Sequence, residues 1–111
     1  MDKLFIIWSS GDREVAFKLV YMYAANSLIH GWWDRVRLVV WGPSAKLLCD
    51  DGEVAAGLEK LRESGVELMA CKRCAELYGV VEELEALGLD VHYVGTTITE
   101  MLKSDWKSVT F

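Results

Sequence analysis

The chain is poor in the residues that build disulfide frameworks, metal sites and rigid linkers. Its 111 residues include one proline, two histidines and three cysteines, Cys49, Cys71 and Cys74. A small, odd number of cysteines does not make the disulfide framework of a secreted domain, which favours a reducing compartment. A structural zinc site needs four ligands, and the chain has one Cys-x-x-Cys pair without a second. We therefore predict no metal and no other cofactor.

Long apolar runs and clusters of basic residues are also absent. No run approaches the roughly 18 apolar residues that span a bilayer, and the first residues lack the layout of a signal peptide. The formal net charge of −5, without clustered Lys and Arg, argues against a nucleic-acid partner. We expect a cytoplasmic protein that binds neither nucleic acid nor membrane, folded as a single domain over residues 1–111.

Hydrophobic residues, by contrast, make up 52% of the chain and fall into short runs that alternate with helical patterns. The pattern predicts strands over 4–8, 36–41, 66–70, 91–94 and 109–111, and helices over 14–30, 44–49, 53–64, 72–87 and 96–103. Such alternation is typical of a small doubly wound α/β fold, with a mostly parallel five-stranded sheet and helices on both faces.

The first predicted helix is apolar nearly all round. From Val15 to Ala25 only Lys18 is charged, and such a helix has to be covered on more than one side. One side can pack on the sheet. We predict that the other side is a subunit interface that includes Phe17, Tyr21 and Met22, although an aromatic-rich core helix explains part of the same pattern.

The carboxyl ends of the predicted strands gather polar, glycine and cysteine residues. Ligands of open α/β sheets bind at this edge. The residues that we predict to take part in binding there are Ser9, Ser10, Gly42, Lys72 and Arg73.

Cys71 stands at the junction between a predicted strand and a predicted helix. The unpaired N–H groups and the dipole of a helix start favour an anion, and the two basic residues that follow Cys71 act in the same direction. Cys74 lies one turn further along the same face, where it can serve as a redox or sulfur-passing partner. We predict that both cysteines are catalytic, and that Trp8 and Trp41 wall the crevice beside Cys71.

Two other interpretations remain open. A Cys-x-x-Cys pair after a strand is typical of thioredoxin-like redox proteins, but the order of elements differs here, and Pro43 follows a different strand. In an oligomeric interaction module, Cys71 would be a small buried hydrophobic residue without chemistry.

The stretch from Cys71 to Val80 resembles the DsrE/DsrF-like family, which includes the sulfur-relay subunit TusD and related small oligomeric proteins. Cys71, Ala75, Gly79 and Val80 match its pattern of a strand, a cysteine, an alanine-containing helical turn and a Gly-Val pair. The stretch 41–44 and the apolar helix 15–25 also look like that family.

This resemblance implies a DsrE-like, flavodoxin-like three-layer fold and a homo-oligomer, commonly a trimer or hexamer. In the sulfur-relay members, the cysteine at the Cys71 position carries a persulfide and works with sulfur donor and acceptor proteins. We therefore predict a sulfur carrier, or sulfurtransferase-like protein, that holds a persulfide on Cys71.

Overall fold

A five-stranded sheet runs through the centre of the protein, whose computed structural model describes residues 1–111. All neighbouring strands are parallel, in the order β4-β3-β2-β1-β5. The strands are β1 (Lys3–Trp8), β2 (Arg35–Val40), β3 (Glu67–Cys71), β4 (Asp90–His92) and β5 (Lys107–Thr110). The predicted parallel α/β fold is therefore confirmed.

Helical segments connect the strands. Helix α1 is a continuous run of three segments, Arg13–Val15, a π-helical stretch Ala16–Tyr21 and Met22–Ile29, followed by α2 (Pro43–Asp50), α3 (Gly52–Ser64), α4 (Lys72–Tyr78), α5 (Val81–Ala86) and α6 (Gly95–Leu102). The side chains of Asp12 and Asp51 accept backbone N–H groups at the starts of α1 and α3, which offsets unpaired donors there. None of the helices combines the length and hydrophobicity needed to cross a bilayer.

The single helix predicted over 72–87 is wrong, because the chain forms two helices there. Gly79 ends α4 in the left-handed conformation with a φ of 70°. Glycine adopts this conformation without the steric cost that a Cβ atom brings. The chain then turns at Val80 and begins α5 in a new direction.

The two faces of the sheet are covered very unequally. A large core cluster of 22 buried residues packs α1, α2, α3, α4 and α5 on one face. A smaller cluster of eight residues lies on the other face, where Val94, Ile98 and Met101 of the α6 region supply the helical side. The order of strands explains this, because right-handed crossovers that all step one way place their helices on one face, and the step from β4 back to β5 reverses the direction.

The predicted interface on α1 needs one correction. Tyr21 is buried in the large cluster, and its hydroxyl donates to the backbone carbonyl of Val54 at 2.6 Å. Met22, the next residue, is 54% exposed. Tyr21 is therefore a core residue, because the π-helical stretch turns its ring toward the sheet and α3.

Candidate functional site

Cys71 is the last residue of β3 and the residue that caps the start of α4. Its sulfur accepts the backbone N–H of Cys74 at 3.4 Å. The side chain is only 7% exposed and belongs to the small cluster, together with Val94 and Ile98. The sulfur thus occupies the place where a helix start favours an anion, under a cover of apolar side chains.

Cys74 lies one turn along α4, is partly buried and packs against the same small cluster. Burial raises the pKa of its thiol above the ordinary value, and its hydrogen bond to Cys71 acts in the same direction. The backbone N–H of Gly42 opposes this effect. Cys74 is therefore held as a protonated S–H group beside the Cys71 sulfur, and all three cysteines of the chain are free.

The two basic residues after Cys71 engage other partners. The Lys72 ammonium lies over the ring of Tyr93, 5.5 Å from its centroid, and the Arg73 guanidinium is 3.8 Å from the Glu76 carboxylate. Neither side chain forms a hydrogen bond with the Cys71 sulfur. Their positive charges lie near the start of α4, but the two side chains contact Tyr93 and Glu76 rather than Cys71.

Of the other predicted binding residues, Gly42 lies at the cysteine pair and the two serines lie further along the same edge. Gly42 precedes α2 with a φ of 80°, and its backbone N–H acts to lower the pKa of the Cys74 thiol. The Ser9 hydroxyl donates to the carbonyl of Phe111 at 3.1 Å, and the Ser10 hydroxyl accepts the N–H of Asp12. The two serine hydroxyls therefore form hydrogen bonds that hold the carboxyl end of β1 to Phe111 and to the start of α1.

The predicted tryptophan wall beside Cys71 is wrong for Trp8. That side chain is fully buried in the large cluster, on the opposite face of the sheet from Cys71. The face alternates along a strand, so a position at the correct edge does not fix the side to which a residue points. Trp41 follows β2 and is 41% exposed.

His92 is a neighbour of Cys71 that sequence reasoning left outside the site. The β3–β4 register pairs these two residues directly. The only signal in the sequence was that Asp90 and His92, both polar, are two positions apart, which places them on the same face of β4. No group of His, Cys, Asp and Glu side chains is arranged to hold a metal ion.

Comparison with known proteins assigns the fold to a family. The model of the DsrE/DsrF-like family matches residues 2–111. A conserved protein of unknown function from Bacteroides thetaiotaomicron is 35% identical, with a TM-score of 0.95 over 99% of this chain and 95% of that one. No functionally curated protein matches the chain.

More distant structures share the fold. The ychN protein from E. coli is 18% identical with a TM-score of 0.73, and a protein of unknown function from Methanobacterium thermoautotrophicum is 20% identical with a TM-score of 0.80. Both comparisons cover the full length of both chains. With the family model matched over nearly the whole sequence, the chain belongs to the DsrE/DsrF-like family.

Proposed function

We propose that the protein is a sulfur carrier that holds a persulfide on Cys71. The observation that carries this proposal is the place of the Cys71 sulfur, which accepts the Cys74 N–H at the start of α4 in a chain of this family. A helix start stabilises a thiolate and a persulfide anion for the same electrostatic reason. The free state of all three cysteines fits a reducing compartment, and we place the protein in the cytoplasm.

The proposed transfer moves one sulfur atom without net oxidation. The Cys71 thiolate attacks the outer sulfur of a donor persulfide, the S–S bond of the donor breaks, and the donor leaves as a thiolate. An acceptor thiolate then attacks the outer sulfur on Cys71, and the Cys71 thiolate leaves. The apolar side chains around Cys71 keep water from the persulfide between the two steps.

In this proposal Cys74 has two tasks. Its S–H group, kept protonated by burial, hydrogen-bonds the Cys71 sulfur in the resting state. After loading, its sulfur can attack the inner sulfur of the persulfide, forming the Cys71–Cys74 disulfide and releasing hydrosulfide. That reaction discharges a persulfide that finds no acceptor.

The test is the intact mass of the native protein before and after exposure to glutathione persulfide. We expect the wild type to gain the mass of one sulfur atom and Cys71→Ser to gain none. Cys49→Ser is the matched control and should load like the wild type, because Cys49 packs against the large cluster and the pair belongs to the small one. Cys74→Ser should load and keep its sulfur for longer. Equal loading of Cys71→Ser and wild type would refute the proposal.

A thiol–disulfide role is the second candidate, favoured by the spacing of the two cysteines one helical turn apart, with the Cys74 N–H donated to the Cys71 sulfur. In that case the same mass measurement, made with a mild oxidant, shows the loss of two hydrogens at Cys71 and Cys74. A protein that gains sulfur from the persulfide and forms no disulfide with the oxidant excludes this role.

An interaction module is the third candidate, and one surface favours it. Leu19, Met22 and Trp32 are exposed and border an open cavity of about 280 Å³ beside Phe111. Exposed apolar surface of this kind is typical of contacts between chains. We propose that it contributes to a homo-oligomer, a trimer or hexamer, which is compatible with either of the cysteine functions.

A further inference from the structure

Cys71 and His92 are direct neighbours across two strands. They are paired residues in the parallel β3–β4 register. Paired residues of adjacent strands project from the same face of a sheet, and the strands lie about 4.8 Å apart. The imidazole and the thiol therefore stand side by side on the face that α6 covers, although they are 21 positions apart in the sequence and have no common motif.

One nitrogen of the His92 ring has a hydrogen-bond partner, and the other has only a carboxylate nearby. Nε2 lies 3.0 Å from the Thr97 hydroxyl in the first part of α6. Nδ1 is closed off from solvent and lies 3.3 Å from the Asp90 carboxylate, close enough for an ion pair but not in hydrogen-bond geometry.

Asp90, His92 and Cys71 thus form a row of carboxylate, imidazole and thiol on one face of the two strands. We propose that His92 is a positioning residue that acts through Cys71: its imidazolium, oriented by Asp90 and Thr97, stabilises the Cys71 thiolate. The proton of the Cys71 thiol passes to solvent, because an imidazolium already carries a proton on both nitrogens, and no further reactant is needed. For the persulfide anion this inference rests on the proposed function, whereas for the thiolate it does not.

Few other charged or titratable groups surround the pair. Asp90 lies on the same strand as His92, Cys74 on α4 packs against the cluster that contains Cys71, and Glu100 on α6 borders a cavity of about 230 Å³ together with Thr97. The nearest basic side chains, at the start of α4, are engaged by Tyr93 and Glu76. Arg37 on β2 borders the same cavity but pairs with the Glu67 carboxylate at 3.2 Å, so His92 is the basic residue in direct register with Cys71.

The test measures how Cys71 ionises with pH in the full-length chain carrying Cys49→Ser and Cys74→Ser. The ultraviolet absorbance of the thiolate is read as the difference from the same protein with Cys71→Ser. We expect His92→Gln to raise the pH at which half of Cys71 is ionised by about one unit. Asp90→Asn should raise this midpoint by less. His30→Gln is the matched control, because His30 stacks on Trp32 beyond the end of α1, and it should leave the midpoint unchanged.

An unchanged midpoint in His92→Gln overturns the inference. Should His92→Gln fail to fold, Asp90→Asn decides, because Asp90 is largely exposed and its replacement leaves the sheet intact. Sulfur loading measured on the same variants separates the two proposals. If the midpoint rises in His92→Gln but the wild type never loads sulfur, this inference holds and the proposed function is refuted. If the wild type loads sulfur but the midpoint does not change in His92→Gln, the proposed function holds and this inference is refuted.

Discussion

Tyr21 links α1 to α3 through its hydroxyl and its ring. Its hydroxyl donates to the Val54 carbonyl, and its ring makes edge contacts with Trp8 and Phe17 at centroid distances of 5.5 and 5.7 Å. Tyr21→Phe keeps the ring and leaves a buried carbonyl without its partner. We expect the free energy of unfolding to fall by about 1–2 kcal/mol in urea denaturation. A variant as stable as the wild type would contradict this account.

The same residue makes stability depend on pH. Burial, and secondarily the Asp51 carboxylate, raise the pKa of Tyr21 in the folded protein. The unfolded chain loses the proton first, so the stabilisation is complete below the ordinary tyrosine pKa of about 10 and is lost as pH rises above it. The stability difference between wild type and Tyr21→Phe should therefore shrink above about pH 10 in matched urea titrations.

Sequence reasoning located Cys71 at its junction because the signals there are local: an apolar strand, a change of period and basic residues at a helix start. The structure confirms that position. The neighbour on the next strand could not be predicted in the same way, because the pairing of Cys71 with His92 depends on the register of β4. Register is set by packing across the sheet, which no short stretch of sequence encodes.

Helix α3 contains a glycine that is required for close packing rather than for backbone freedom. A Cβ atom on Gly57 would overlap the Tyr21 ring. Gly57→Ala should therefore lower the free energy of unfolding by about 1–2 kcal/mol, although alanine favours a helix more than glycine does. Gly52→Ala at the start of α3 is the control, because open space surrounds it. The stability of both variants is measured by thermal unfolding. A Gly57→Ala variant that is no less stable than Gly52→Ala would exclude this packing role.

The helix boundaries illustrate where sequence patterns fail at the scale of elements. The apolar spacing of 72–87 continues smoothly through Gly79, so periodicity alone predicts one helix. The left-handed conformation of Gly79 is what divides it, and a glycine permits such a turn without requiring it. With the turn in place, Ala75 of α4 and Leu84 of α5 both pack into the large core cluster.

Association of several copies of the chain is a property of the whole molecule. If copies of the chain associate through the exposed residues of α1, Met22→Glu should reduce the native mass measured by light scattering, because burying a carboxylate in an apolar contact is costly. Leu102→Glu is the control, since Leu102 is 60% exposed at the end of α6, away from that cavity. A wild type with the mass of one 12.5 kDa chain would refute the interface.

The overall architecture was predictable because alternating strands and helices allow few topologies. The strand order and the face on which each helix lies were not, since they depend on the single reversal between β4 and β5. That reversal places α6 on the face of the small cluster, to which Cys71 belongs, while the other helices cover the face of the large cluster, to which Trp8 belongs.

The thin cover over one face of the sheet has a consequence for access to Cys71. Different parts of a fold open with different free energies, and a short helix on a small cluster opens more readily than a core packed from several elements. Detachment of α6 would uncover Cys71 and His92 while the large cluster stays closed. We therefore expect the rate at which a reagent or partner protein reaches the buried Cys71 thiol to depend on local opening of α6.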